Sequence, residues 1–162
     1  MFNIVCIFGP SCSGKSTLAQ ALSKELAWTY IDRDGLIETN LCTDDTANAL
    51  IDKKIGELKS RIVIDAQLPW RVKKERELFC LVLPPIEILL ERDAKRTINL
   101  SRDSNRADRA KKYVINTHTQ LTSYPKEQFD LFLDSSRLTL DKEVEAVRSW
   151  LKTTGPIGAS SS

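Results

Sequence analysis

Residues Gly9-Pro10-Ser11-Cys12-Ser13-Gly14-Lys15-Ser16 fit G-x-x-x-x-G-K-[ST] throughout. That spacing suits one chemistry, the cradling of a nucleotide's phosphates: the glycines let successive N–H groups aim at phosphate oxygens, and a following helix adds its positive end. The candidate nucleotide contacts are therefore Gly9, Ser11, Cys12, Ser13, Gly14, Lys15, Ser16 and Thr17. Lys15 is expected to bridge the β- and γ-phosphates, and the Ser16 hydroxyl to take one position on Mg²⁺. Two carboxylates are candidates for the metal side: Asp65, ending the apolar run Arg61-Ile-Val-Ile-Asp65, and Asp32, which would act through water. Between Arg92 and Lys112 stand eight basic residues, where an even spread would put about three. Beside a phosphate loop this excess suits a lid, over about 97–112, that closes positive charge over a triphosphate.

The elements that must position these groups follow from periodicity. Asn3–Phe8 is a short apolar run ended by Gly9-Pro10, the pattern of a strand buried on both faces, and Leu18, Ala19, Leu22 and Leu26 recur at helical spacing after it. Further strands are expected at 28–31, 61–65, 78–83 and 129–133, and helices at 43–60, 86–96 and about 141–151. Asp32-Arg-Asp-Gly35 is expected to stop the second strand as a turn. Residues 117–126 are expected to form a loop around His118, the single histidine. Alternation of apolar strands with helices implies an α/β fold, a parallel sheet with helices on both faces. One domain over 1–152 is expected, followed by a Gly/Ser/Thr-rich disordered tail at 153–162.

Composition excludes several classes. At 162 residues with 41% hydrophobic and 28% charged content, the chain is neither disordered nor collagenous. A net charge of +2 demands neither nucleic acid nor an anionic membrane as partner. The N-terminal apolar run is too short to span a bilayer and lacks the features of a signal peptide, so a cytoplasmic location is expected. Cys6, Cys12, Cys42 and Cys80 form no C-x-x-C pair, which argues against disulfides and a structural metal; Cys6 and Cys80 are expected in the core. Absence of Asn-Lys-x-Asp removes the guanine-reading motif of GTPases, and no Asp-Glu pair follows an apolar strand, which weakens a motor-type ATPase.

The phosphate loop, Glu91-Arg92-x-x-x-Arg96 before a basic lid, and the small α/β chain resemble the nucleoside-monophosphate-kinase-like P-loop kinases. Within these, the phosphate loop, Asp34-Gly-Leu-Ile-Glu38, Arg61–Asp65 and Phe129-Asp-Leu-Phe-Leu-Asp134-Ser-Ser look most like chloramphenicol phosphotransferase-like small-molecule kinases. The resemblance implies a three-layer fold with a five-stranded parallel sheet in order 2-3-1-4-5. It implies ATP and Mg²⁺ as cofactors, and transfer of the γ-phosphate to a hydroxyl of a small molecule by a monomer or weak homodimer. It further implies Asp34 as base for that hydroxyl, Arg92 stacked on adenine, Arg96 on the phosphates as a catalytic group with Lys15, and Ser136 near adenine.

This chain departs from that family in its longer lid, in a 68–77 segment too short for a crossover helix, and in residues 39–60, which match nothing familiar. Chloramphenicol itself is therefore not the expected acceptor. A nucleoside monophosphate kinase is the first alternative. It needs cationic clamps such as Arg33 or Arg71, and no arginine occurs from Gly35 to Ser60. A polynucleotide kinase would need a basic groove, and a non-catalytic ATP-binding module would not need Asp34.

Overall fold

A computed structural model describes residues 2–40, 43–58 and 61–154. Five parallel strands, β1 (Ile4–Phe8), β2 (Thr29–Asp32), β3 (Ile62–Ala66), β4 (Glu77–Val82) and β5 (Leu131–Leu133), pair in the order β2-β3-β1-β4-β5. This is the order the resemblance implies. Every residue of β1, β3 and β4 is buried, because successive side chains point to opposite faces and both faces are covered. Ile4, Cys6 and Phe8 feed one core with Ile64, Phe79 and Leu121, while Val5 and Ile7 feed the other with Leu18, Leu22 and Val147. The edge strands differ from expectation: β2 and β5 each bury only one residue, since an edge position leaves their outer flank open.

Helices α1 (Lys15–Leu26), α2 (Arg33–Asn40), α3 (Asp44–Glu57), α4 (Ile86–Asn99), α5 (Ser104–Ser123) and α6 (Leu140–Thr153) complete the layers. Two of these correct the sequence reading. The expected turn at Asp32–Gly35 opens α2 instead: the Asp32 Oδ1 accepts from the Gly35 N–H at 2.8 Å, which caps the new helix. A Cβ at position 35 would collide with that carboxylate, so Gly35 serves close approach and not a turn. Of the expected loop at 117–126, residues 117–123 belong to α5, whose buried Val114, Thr117 and Leu121 sit three and four residues apart; Thr117 breaks an otherwise legible stripe. His118 is accordingly a helical residue, its carbonyl accepting from the Thr122 hydroxyl. On α3, Ala47 and Ile51 are buried, while Leu50 between them is 38% exposed.

The fifth strand starts two residues later than its apolar run. A short 3₁₀ turn (Lys126–Gln128) precedes it, and Asp130 extends the ladder: its N–H donates to the Phe79 carbonyl and its carboxylate accepts the Phe79 N–H, both at 2.8 Å. The expected lid, 97–112, comprises the end of α4, a turn and the start of α5. Arg102 pins that turn to the buried Asp93 and to Thr97, and Asp103 caps α5 by accepting from the Arg106 N–H. Thr153, expected in the tail, ends α6, and the tail at 155–162, like Cys42, lies outside the described residues. No helix among the described residues is long and apolar enough to cross a membrane.

β3 and β4 are joined by a strap without a helix, residues 67–76. It is held by Arg71, which donates to Asp52 at 3.0 Å and to the buried Glu77 at 2.5 Å, and by Lys73, which donates to Asp130 at 2.6 Å. Removing the Arg71 guanidinium leaves Glu77 buried with an uncompensated charge, so Arg71→Ala is expected to cost about 3–5 kcal/mol in urea unfolding. Lys95→Ala, which breaks the exposed Lys95–Glu91 pair, should be indistinguishable from the unsubstituted chain.

Candidate active site

The eight residues after β1 form a turn that ordinary L-residues resist. Cys12 has φ 68° and Gly14 φ 91°, both in the left-handed region. At Gly9 a Cβ would lie 2.5 Å from both the Ser13 hydroxyl and the Val82 carbonyl, so the loop presses against β4 where only hydrogen fits. Ser13 is fully buried beneath it and accepts from the Lys15 N–H at 3.3 Å. Helices α3, α5 and α6 begin with side-chain caps from Thr43, Asp103 and Thr139. Helix α1 begins at Gly14 with no side-chain cap and no acidic residue in its first turn. Its positive end is thus left to an anion from outside.

Arg92 and Arg96 stand one turn apart on α4, and both reach this loop. Arg92 donates through one terminal nitrogen to the Cys12 carbonyl at 3.1 Å, the Ser13 carbonyl at 3.4 Å and the Ser135 hydroxyl at 2.9 Å, and through the other to the Ser135 carbonyl at 3.0 Å. The Ser135 hydroxyl in turn donates to the Ser13 carbonyl at 2.6 Å. The Cys12 and Ser13 carbonyls are thus turned to arginine, and the loop N–H groups other than those of Ser13 and Lys15, which bond the Pro10 carbonyl and the Ser13 hydroxyl, are left to the cleft. Arg96 donates to the Ser11 hydroxyl at 3.2 Å, at the cleft's rim. Neither arginine pairs with Glu91, which takes Lys95 at 2.8 Å.

The resulting cleft has a volume of about 580 Å³ and is lined by the phosphate loop, both arginines, Ser135, Leu138, Leu140 and Glu143. Ser136, the expected contact, turns away: its N–H and hydroxyl both bond Asp134. Its neighbour Ser135 lines the cleft instead. Sequence reasoning missed Leu138, Leu140 and Glu143. A Glu in the first turn of a Thr-capped helix is camouflaged by its ordinary role there. Here Glu143 is 4% exposed, with Oε1 unpartnered among the described residues, and burial pushes its carboxyl up to about 7 against the opposing charge of Arg92.

Three carboxylates meet at the carboxyl edge of β2 and β3. Asp32 and Asp65 are register partners at that edge, and Asp34 follows in the first turn of α2. Asp34 Oδ2 accepts from the Gln67 N–H at 3.0 Å and Oδ1 from Arg33 at 3.2 Å. Burial raises its carboxyl above the ordinary range, opposed by the charges of Lys15 and Arg33 and by the Gln67 N–H. Asp65 is 1% exposed and neither of its oxygens has a hydrogen bond of ordinary geometry. Burial pushes its carboxyl up to about 6, although the nearby Ser16 hydroxyl and Lys15 favour the charged form. The Ser16 hydroxyl with Asp65 and Asp32 is an all-oxygen donor set, and the two orphaned oxygens of Asp65 fit a hard cation such as Mg²⁺.

In the nucleotide-free chain the buried Asp65 charge has an energetic sign that can be measured. Its folded pKa lies above the unfolded value near 4, so the group's cost is absent below about pH 4, grows as pH rises toward 6, and is complete above. Asp65→Asn removes it. The variant is expected to be more stable by on the order of 2 kcal/mol at pH 7.5, an advantage that vanishes at pH 4, in denaturant titrations without nucleotide or metal.

Comparison with known proteins adds the following. No family model matches the sequence. A cytidylate kinase of Sulfurisphaera tokodaii is 32% identical over 111 residues, covering 57% of this chain and 62% of that protein, so the match spans less than two thirds of the relative's length. Among solved structures, a shikimate kinase from Acinetobacter baumannii in complex with shikimate superposes with a TM-score of 0.63 at 12% identity, covering 96% of each chain. A gluconokinase from Sinorhizobium meliloti 1021 gives a TM-score of 0.64 at 16% identity, over 93% of this chain and 92% of that one. At such identities the shared property is the architecture. The chain has the P-loop kinase fold.

Proposed function

We propose that this chain is an ATP- and Mg²⁺-dependent phosphotransferase that moves the γ-phosphate to a hydroxyl of a small molecule. The observation that carries this reading is a carboxylate, Asp34, held by two hydrogen bonds and close enough to Lys15 for that cation to lower its pKa. A phosphate cradle and a candidate base would thus serve one transfer reaction. Phosphoryl transfer leaves little covalent work for the protein; positioning and charge neutralisation dominate. Lys15, the α1 N-terminus and Arg96 would hold the phosphates. Ser16 and Asp65, with Asp32 beyond them, would hold Mg²⁺, which when bound neutralises charge on the phosphates. Asp34 accepts the proton of the acceptor hydroxyl as that oxygen bonds to the γ-phosphorus. The bond from phosphorus to the β,γ-bridging oxygen breaks, and ADP leaves with the electron pair.

A finer resemblance, to chloramphenicol phosphotransferase-like kinases, is compatible with this chemistry and with the position of Asp34. A second reading, a nucleoside monophosphate as acceptor, is favoured by the cytidylate kinase relative. Its acceptor group is a phosphate, which requires cations and no base.

Two measurements test the proposal. Mg²⁺–ATP is expected to raise the melting temperature of the chain, and Lys15→Ala to remove most of that shift while leaving the ligand-free melting temperature unchanged. With an acceptor in hand, Asp34→Asn should lower kcat by roughly 10²–10⁴-fold with little effect on ATP affinity. Because burial raises the Asp34 carboxyl, kcat should fall with acidification at a pH above the ordinary carboxylate value near 4, and that acid limb should be missing from the variant's residual activity. An Asp34→Asn enzyme with full kcat would refute a hydroxyl acceptor activated by this residue.

A further inference from the structure

Beside Asp34 lies a second cleft, of about 500 Å³, walled by α2, the start of α3, the β3–β4 strap and Tyr113 of α5. Resting on the phosphotransferase reading above, we propose that this cleft takes an alcohol bearing no phosphate or carboxylate, uncharged or amine-bearing, that lays an apolar face against Trp70.

Charge carries the argument first. Among the described residues lining the cleft the one cation is Arg33, and its side chain is 9% exposed. All three guanidinium nitrogens are engaged: Nε donates to Asn48 at 3.0 Å, and the terminal nitrogens donate to Asp34 at 3.2 Å and Asp44 at 2.9 Å. Its carbon lies 5.5 Å from the Trp70 ring centroid, so one face of the guanidinium is covered as well. One cation thus stands against two carboxylates in the lining. The nearest other arginine on the strap, Arg71, is held by Asp52 and Glu77. An anionic acceptor would meet Asp34 and Asp44 beside an Arg33 already bonded to both, whereas an amine would be welcomed by both carboxylates.

Hydrogen-bonding capacity points the same way. Gln67 Oε1 and Trp70 Nε1 are buried without partners among the described residues, one an acceptor and the other a donor. A hydroxyl satisfies both kinds of group, while a carboxylate or phosphate dianion can only accept. The rest of the wall, Ile37, Leu68, Pro69, Trp70 and Tyr113, is apolar or aromatic. Arg33 is a positioning residue here: it fixes Asp34 and screens Asp44 without reaching for the ligand.

The test compares four probes on the unmodified chain, with Mg²⁺ and a non-hydrolysable ATP analogue present: phenylethanediol, phenylethanolamine, mandelate and cytidine monophosphate. Calorimetry is expected to show at least one of the first two binding about tenfold or more tighter than either anion. Trp28→Phe/Trp150→Phe leaves Trp70 as the one tryptophan of the chain, and its fluorescence should change saturably with the same probe. In Asp44→Asn, where Arg33 loses an exposed partner, mandelate should gain on phenylethanediol by roughly threefold. Equal or tighter binding of mandelate or cytidine monophosphate, no binding of either non-anionic probe, or an unchanged ratio in Asp44→Asn overturns the proposal. ADP release on the same compounds with ATP separates the two readings. Release driven by an anion overturns the cleft assignment and leaves phosphotransfer standing. Saturable Trp70 binding with no ADP release from any alcohol supports the cleft and removes the phosphotransferase.

Discussion

The site depends on one constraint, that a loop with two left-handed residues must stay left-handed. Cys12 and Gly14 occupy a backbone region that costs an ordinary residue roughly 1–3 kcal/mol. What holds them is the Arg92 guanidinium, shared between the Cys12 and Ser13 carbonyls and Ser135, with the Ser135 hydroxyl returning to Ser13. Three remote segments, the turn after β1, helix α4 and the end of β5, are therefore fixed to one another at the nucleotide cleft. The same bonds determine which way the loop's peptide dipoles face. The Cys12 and Ser13 carbonyls point to arginine, and the N–H groups not bonded within the loop are left for an anion. Arg92 thereby contributes to anion binding through orientation, while Arg96, one turn along, stands at the rim where its charge can act directly.

Where a feature was written in residue type and spacing it was legible from the sequence. The phosphate loop, the strand order and the placement of Asp65 at a strand end came from motif, apolar runs and resemblance, because the central strands bury both faces and show it. Edge elements were harder. β2 and β5 bury one residue each, so their limits follow side-chain bonds such as Asp32 to Gly35 and Asp130 to Phe79, which no periodicity announces. The second half of α5 was hidden by Thr117, a polar residue doing core duty among Asn, His and Gln. Ser135 and Ser136 are chemically the same, and which one faces the cleft is decided by Asp134 capturing its second neighbour. Glu143 and Trp70 gave no signal at all: one looked like a first-turn acid, the other like a lone aromatic.

The two clefts are opposite in character. The first is framed by cations and an uncapped helix end, the second by two carboxylates around one arginine bonded to both. Lys15, which lines the first, favours the charged forms of Asp34, which lines the second, and of the buried Asp65. This polarity suits transfer of a negatively charged group from a donor that needs cations to an acceptor that needs a base.

The strap between β3 and β4 has a consequence for how such a scaffold can change. Its ten residues cross the sheet without a helix, and they are fastened by side-chain bonds at Arg71 and Lys73 to partners on α3, β4 and the start of β5. The stretch that faces the second cleft, Gln67 to Trp70, lies ahead of those fastenings. Side-chain substitutions there would reshape the wall of the second cleft without touching the bonds that fasten the strap. The architecture is in that respect modular. On the function proposed above, selectivity would drift by exchange of four residues while the phosphate loop is inherited intact.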